Sequence, residues 1–299
     1  MTEEIADNAG LGIIAGREAI AQGIAERWHH QGRKSVRLQG EVESWPTVAG
    51  MVIDPGSPME PGSMEMERFR RILQWAGDRE VARVVVISSA LTMVRPESGK
   101  WRFEEGWRPV VGDRRVGKPV ERALWREGEV YRAIARGLDA VMLNPTVVVG
   151  DGFQGIDLDL LEEELASGRP VATLGGVEVA VVGAEDVVRA VMAALARGRR
   201  GRRYLVNAGE VALVEMVRRA AQTVGRQPPR REWSARWVRQ GFGLLPDERV
   251  AASLRRFLGL EGQWRAMAMR GVGQGERCAG ELMVEPLSVE TIAGGGDMG

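Results

Sequence analysis

The sequence predicts an α/β protein with a doubly wound parallel sheet and a smaller mixed lobe on its C-terminal side. Three observations predict it. Short apolar runs alternate with stripes of helical period through the first half. The run Arg83-Val84-Val85-Val86-Ile87-Ser88-Ser89 is continuously β-branched at its centre, as a strand buried on both faces should be. A second such run, Ala140 to Leu143, follows a helical segment that Gly137 ends. This alternation implies right-handed βαβ units, and ligands on such sheets bind at the carboxyl ends of the strands.

The elements follow in order. Ile20, Ile24 and Trp28 form one apolar stripe on a helix, and Val36 to Leu38 a short strand. Gly50 to Ile53 is the next strand, closed by the turn signal Asp54-Pro55-Gly56. Phe69, Ile72, Leu73 and Ala76 mark a second helix. Residues 94–118, rich in charge, glycine and proline, are expected as a long excursion outside the core. Leu124, Val130, Tyr131 and Ile134 give the inner face of a third helix. Val187, Val188, Val191, Met192 and Leu195 mark a fourth, and Leu213, Val217, Ala220, Ala221 and Val224 a fifth. Residues 233–268 read as helical, and the chain from Gly271 as a glycine-rich, poorly ordered tail. The expected division is 1–170 for the nucleotide domain, 171–270 for a partly interleaved substrate-side lobe, and 271–299 for the tail.

Gly10-Leu11-Gly12-Ile13-Ile14-Ala15 fits the G-x-G-x-x-G/A dinucleotide fingerprint of a Rossmann-type fold, and Gly16 adds a further glycine. Such glycines let backbone N–H groups approach a pyrophosphate at the positive end of the following helix. Glu3 to Asn8 is a poor strand before it. No acidic residue ends the Val36–Leu38 run to hold a ribose, while Arg37 would favour a 2′-phosphate. A structural strand–helix turn is the alternative reading.

Formal net charge is zero over 299 residues, so no overall field steers the chain toward nucleic acid or acidic membranes. The one cysteine, Cys278, rules out an internal disulfide framework and suits a reducing, cytoplasmic setting. No apolar run reaches the ~18 residues of a membrane span.

From Phe69 onward the order of features resembles the extended short-chain dehydrogenase/reductase superfamily, in its NAD-dependent epimerase/dehydratase branch. The strand ending Ser88-Ser89-Ala90 resembles the one that carries the family's active-site serine, with Ser89 as the match. Gly137 to Gly150 (GLDAVMLNPTVVVG) is the most specific stretch; its Asn144, Pro145 and Thr146 would border a nicotinamide. Gly175-Gly176-Val177, Glu185-Asp186-Val187 and Arg203 to Asn207 resemble the substrate-side half. The likeness covers about residues 8 to 240. It implies NAD or NADP as cofactor, held by Gly10, Gly12, Ala15, Gly16, Arg37, Pro55, Gly56, Asn144, Pro145 and Thr146. The family's chemistry also needs a tyrosine with a lysine four residues on, whose charge lowers the phenol pKa. Here the tyrosines are Tyr131 and Tyr204, followed at that spacing by Ala135 and Ala208, so the pair is absent. Family spacing puts Pro119 and Ala123 in the two places.

Other candidates have plainer readings beside them. Lys118, Glu104 or Glu105 would be substitute proton groups, or solvated loop residues. Tyr131 has core spacing. His29 and His30 suit a helix end better than a metal, and no metal site is expected. The arginine cluster 197–203 and the basic–aromatic stretch 226–240 have the composition of nucleic-acid binders; a solvated turn and lobe packing are the simpler accounts. Two functions are therefore carried: an NAD(P)-binding epimerase/dehydratase- or reductase-like protein diverged in hydride transfer, and a non-catalytic partner or assembly protein. A small-molecule substrate or a partner protein is expected, with no nucleic acid and no membrane span, and a homodimer is compatible.

Overall fold

The computed structural model describes residues 10–56, 64–97, 100–108, 117–149, 162–163, 165–168, 173–176, 178–228, 232–234 and 276–287. Six strands form the main sheet: β1 (Leu11–Ala15), β2 (Ser35–Arg37), β3 (Gly50–Asp54), β4 (Arg83–Ile87), β7 (Ala140–Pro145) and β11 (Arg203–Val206). Their order is β2-β1-β3-β4-β7-β11, and every pair is parallel. The chain leaves β1 through α1 (Glu18–His30) to β2 on one side, then returns to place β3 on the other. The direction of winding therefore reverses between β1 and β3, and a crevice belongs at their carboxyl ends.

Side chains alternate across the sheet with period two. Leu11, Ile13, Val52, Val85, Ile87, Val141 and Leu143 pack under α1 and α4 (Ala184–Arg197). Ile14, Met51, Ile53, Val84, Val86, Ala140 and Met142 pack on the opposite face under α2 (Met66–Asp78) and α3 (Gly117–Ala135). Both faces are covered, so these strands tolerate unbroken apolar runs. β11 and α4 complete this sheet although both follow residue 170 in the chain.

A smaller mixed sheet has the order β12-β10-β8, from β8 (Val147–Val149), β10 (Glu178–Gly183) and β12 (Gly209–Ala212). The helix α5 (Leu213–Thr223) follows it. Further out, β9 (Thr173–Gly175) pairs with β13 (Glu232–Ser234), so Trp233 lies in a strand where a helix was expected. The remainder of 233–268 lies outside the described residues.

Two further expectations are corrected. The excursion after β4 is not all outside the core: β5 (Val94–Glu97) and β6 (Lys100–Phe103) form a hairpin. Its Val94 and Phe103 join a buried cluster with Met93 and Leu205. In the tail, Glu276–Leu282 form a helix, α6, with Cys278, Leu282 and Val284 buried in the main core. Arg197 Nε donates to Leu282 O at 2.8 Å, the Leu287 N–H donates to Asp186 at 3.0 Å, and Tyr204 donates its hydroxyl to Glu281 at 2.9 Å. Glycine-rich composition masked these anchors. Leu282→Ala should cost about 2–5 kcal/mol in urea unfolding, as for other fully buried leucines. A cost under ~1 kcal/mol would mean that α6 does not dock.

Candidate functional site

Gly10 and Gly12 do not form the turn that the fingerprint reading expected. Gly10 precedes β1 and Gly12 lies inside it, at the end of the sheet away from the crevice. Their physical role is close packing: a Cβ on Gly10 would stand 3.0 Å from Lys34 O, and one on Gly12 2.6 Å from Leu38 Cδ1. The poor strand Glu3–Asn8 lies outside the described residues, among which the first strand is the Leu11–Ala15 run.

Only Gly16 and Arg17 separate β1 from α1. The Gly16 N–H donates to Asp54 O at 2.7 Å, which zips β1 to β3 one residue past the end of β1. Gly16 then lies directly on the next backbone, since a Cβ there would be 2.4 Å from Gly56 N. Arg17 crosses the same gap with a two-pronged ion pair to Asp54, Nε to Oδ2 and Nη2 to Oδ1, both 2.8 Å, with side chains 10% and 2% exposed. Asp54 Oδ1 also accepts from the Gly56 N–H at 3.2 Å. Glu18 puts a carboxylate in the first turn of α1, and Arg37, the expected 2′-phosphate ligand, pairs with it. The residues at the switch point therefore do not fit a glycine-lined pyrophosphate cradle. The helix end already faces carboxylates, and the backbones are in contact.

At the carboxyl ends of β4 and β7 the structure gathers a buried polar cluster around Glu127 of α3. One carboxylate oxygen accepts from Ser88 Oγ at 2.7 Å, Thr92 Oγ1 at 2.6 Å and Asn144 Nδ2 at 2.7 Å. The other meets Arg203 Nη1 at 3.1 Å. Glu127 is 2% exposed and Arg203 5%, so this is an ion pair inside the protein. Asn144 also donates to Ser89 O, and Arg203 Nη2 to the carbonyls of Glu105 and Trp107. Sequence reasoning missed Glu127, and it placed Arg203 only in the substrate-side stretch and the arginine cluster, not beside a buried carboxylate. Glu127 falls three residues after Leu124 and three before Val130, on the inner stripe, and that spacing was the available signal.

Ser88, not Ser89, lines the recess beside this cluster. Pro55, Gly56, Val86, Ile87, Ala123, Arg126 and Glu127 complete its wall, around about 270 Å³ of empty space counting the mouth. Ser89 caps the following turn, its hydroxyl accepting from Leu91 N at 3.3 Å. Ala123 offers no proton. Pro119 lies in the first turn of α3, and the side chains of Pro119 and Lys118 lie outside the described residues. Pro145 closes β7, and Thr146 hydrogen-bonds Asn207 at 3.2 Å. Glu104 pairs with Arg95, and Glu105 accepts from the N–H groups of Leu205 and Arg277.

The two phenols are set for packing. Tyr131 lies half-buried under the Arg108 guanidinium, 4.8 Å from the ring centre, and burial pushes its pKa up. Tyr204 is fully buried, accepts from Arg199 N and is also raised by burial. A relay phenol needs the opposite shift. Arg197, Arg199, Arg200 and Arg203 of the arginine cluster all contact the protein itself. His29 ends α1 against Ser35. Among the described residues no three His, Cys, Asp or Glu side chains group as metal ligands, and no helix is long and apolar enough to cross a membrane.

This architecture is a fold shared with solved sugar-nucleotide epimerases and dehydratases. A nucleoside-diphosphate-sugar epimerase from Pseudomonas aeruginosa superposes with a TM-score of 0.69 at 16% identity, over 96% of this chain and 95% of that one. A dTDP-glucose 4,6-dehydratase from Bacillus anthracis, solved with NAD, gives 0.67 at 12% identity, over 96% and 94%. RMD from P. aeruginosa, solved with NADPH, gives 0.69 at 13% identity, over 95% and 96%. NAD and NADP, expected from the resemblance, are thus the cofactors of solved proteins with this fold. Among curated proteins, sterol demethylase protein B of Methylococcus capsulatus is 29% identical over 220 residues, which are 72% of this chain. The match spans 65% of that relative's length. No protein-family profile matches the chain.

Proposed function

We propose that this protein is a non-catalytic relative of the epimerase/dehydratase enzymes, acting as a partner or assembly subunit on a rigid α/β platform. The observation that carries the reading is the Arg17–Asp54 pair across the switch-point crevice, with Gly16 packed on Gly56. The missing tyrosine–lysine pair and the raised phenols support it. The relative's name ties that protein to sterol demethylation, which makes proteins acting on sterols the first partners to test. Cys278 is buried with its thiol pushed up to about 12 by burial, an inert thiol that suits a cytoplasmic location.

A thermal-shift titration with NADH and NADPH tests this directly. Neither should move the melting temperature, while a pull-down should recover a stoichiometric partner. A saturable shift with either nucleotide, together with turnover of a sugar nucleotide or ketone, would overturn the reading.

The second reading is an enzyme of diverged mechanism. It has one observation in its favour: Ser88 Oγ donates to Glu127 at 2.7 Å on the wall of the recess. Turnover lost in Ser88→Ala with the fold intact would select it.

A further inference from the structure

Arg126 is the one member of the recess wall whose charge is not matched. The two neighbouring pairs, Arg17–Asp54 and Arg203–Glu127, are each neutral as units. Arg126 is 4% exposed and makes no ion pair among the described residues. Its fork reaches only carbonyls, Gly56 O at 3.3 Å and Met64 O at 3.2 Å, and its buried Nε–H has no acceptor. A guanidinium has five N–H donors, and a buried charge without a counter-ion is costly. Burial and then the nearby Arg122 charge both act against its charged form, with Asp54 opposing them. An anion entering here would meet unused donors in a site of weak screening.

We propose that Arg126 anchors an oxyanion site in this recess, taking the phosphate or carboxylate head of a small molecule. Ser88 stands on the same wall as a hydroxyl partner, and Val86, Ile87, Pro55 and Ala123 supply the apolar part. The enclosed space holds about one water, so a single oxygen of the head group would enter to meet Arg126 and the rest of the ligand would stay outside. Glu127 does not cancel the site, because its charge is already met by Arg203 and three side-chain donors. The site stands whether or not the chain is a partner subunit.

The test is a thermal-shift and calorimetric titration of the full chain with inorganic phosphate, acetate and ADP, at ionic strength held constant with potassium chloride. Phosphate or acetate should raise the melting temperature by about 5 °C at a hundredfold excess over Kd. A flat response to both would overturn the site, whatever NADH does. Arg126→Lys keeps the charge but loses the fork, and should weaken the anion by about tenfold. Ala123→Glu supplies a carboxylate one turn from Arg126, on the same wall, and should remove the response while circular dichroism stays unchanged. Full response in either folded variant would place the anion elsewhere and sink the proposal. ADP binding more tightly than phosphate would assign the head to a nucleotide; equal binding would assign it to a small acid or phosphate ester. NADH binding with turnover counts against the partner reading alone.

Discussion

Arg203→Met should destabilise the protein by about 3–5 kcal/mol, because it strands the Glu127 carboxylate inside the fold. The methionine fills much of the volume, so the loss is electrostatic more than steric. Glu127 keeps Ser88, Thr92 and Asn144 as donors, but these are neutral and cannot replace a guanidinium at 3.1 Å. The carbonyls of Thr92 and Trp107 lose this donor in the same step, while Glu105 O keeps Arg277 Nη1 at 3.4 Å. Urea unfolding at neutral pH measures the effect. The double change Arg203→Met with Glu127→Gln removes the stranded charge, and should recover about 0.5–3 kcal/mol relative to the sum of the single changes. A cost below ~1 kcal/mol for Arg203→Met would mean that water reaches Glu127. The recess would then be open at its polar end, and the diverged-enzyme reading would gain.

The same cluster shows how far a sequence carries this kind of site. Strands were legible where apolar residues run unbroken, as at 84–87 and 140–143, since both faces of the sheet are covered. The absent Tyr-x-x-x-Lys pair was legible because it is a matter of residue identity. The glycine reading went astray because glycines at fingerprint spacing also occur where strands approach closely. Leu11, Ile13 and Ile14 between them, all buried, were the competing strand signal. Arg17–Asp54 joins residues 37 apart, and Glu127–Arg203 residues 76 apart. Pairings at that distance depend on the order of strands in the sheet, which no local pattern contains. Ser88 and Ser89 are separated only by which face of the strand each takes, and a shift of one residue exchanges them.

Gly16→Ala should be the most damaging single methyl group at the carboxyl edge of the main sheet, at about 3 kcal/mol or more, above the usual 1–3 for overpacking. The added Cβ would stand 2.4 Å from Gly56 N and 2.5 Å from Gly56 Cα, both backbone atoms that no rotamer change can move. Gly56 is itself pinned by a φ of +77°, by its N–H to Asp54, and by its carbonyl to Arg126. Relief would have to come from parting the ends of β1 and β3. That breaks the Gly16 N–H bond to Asp54 O and lengthens the Arg17 ion pair. Stability and function are therefore read from one contact. If denaturant unfolding finds Gly16→Ala within ~0.5 kcal/mol of wild type, the two strand ends are not in contact. The switch-point crevice would then have room for a pyrophosphate, and the reading of this chain as a non-catalytic relative would lose the observation that carries it.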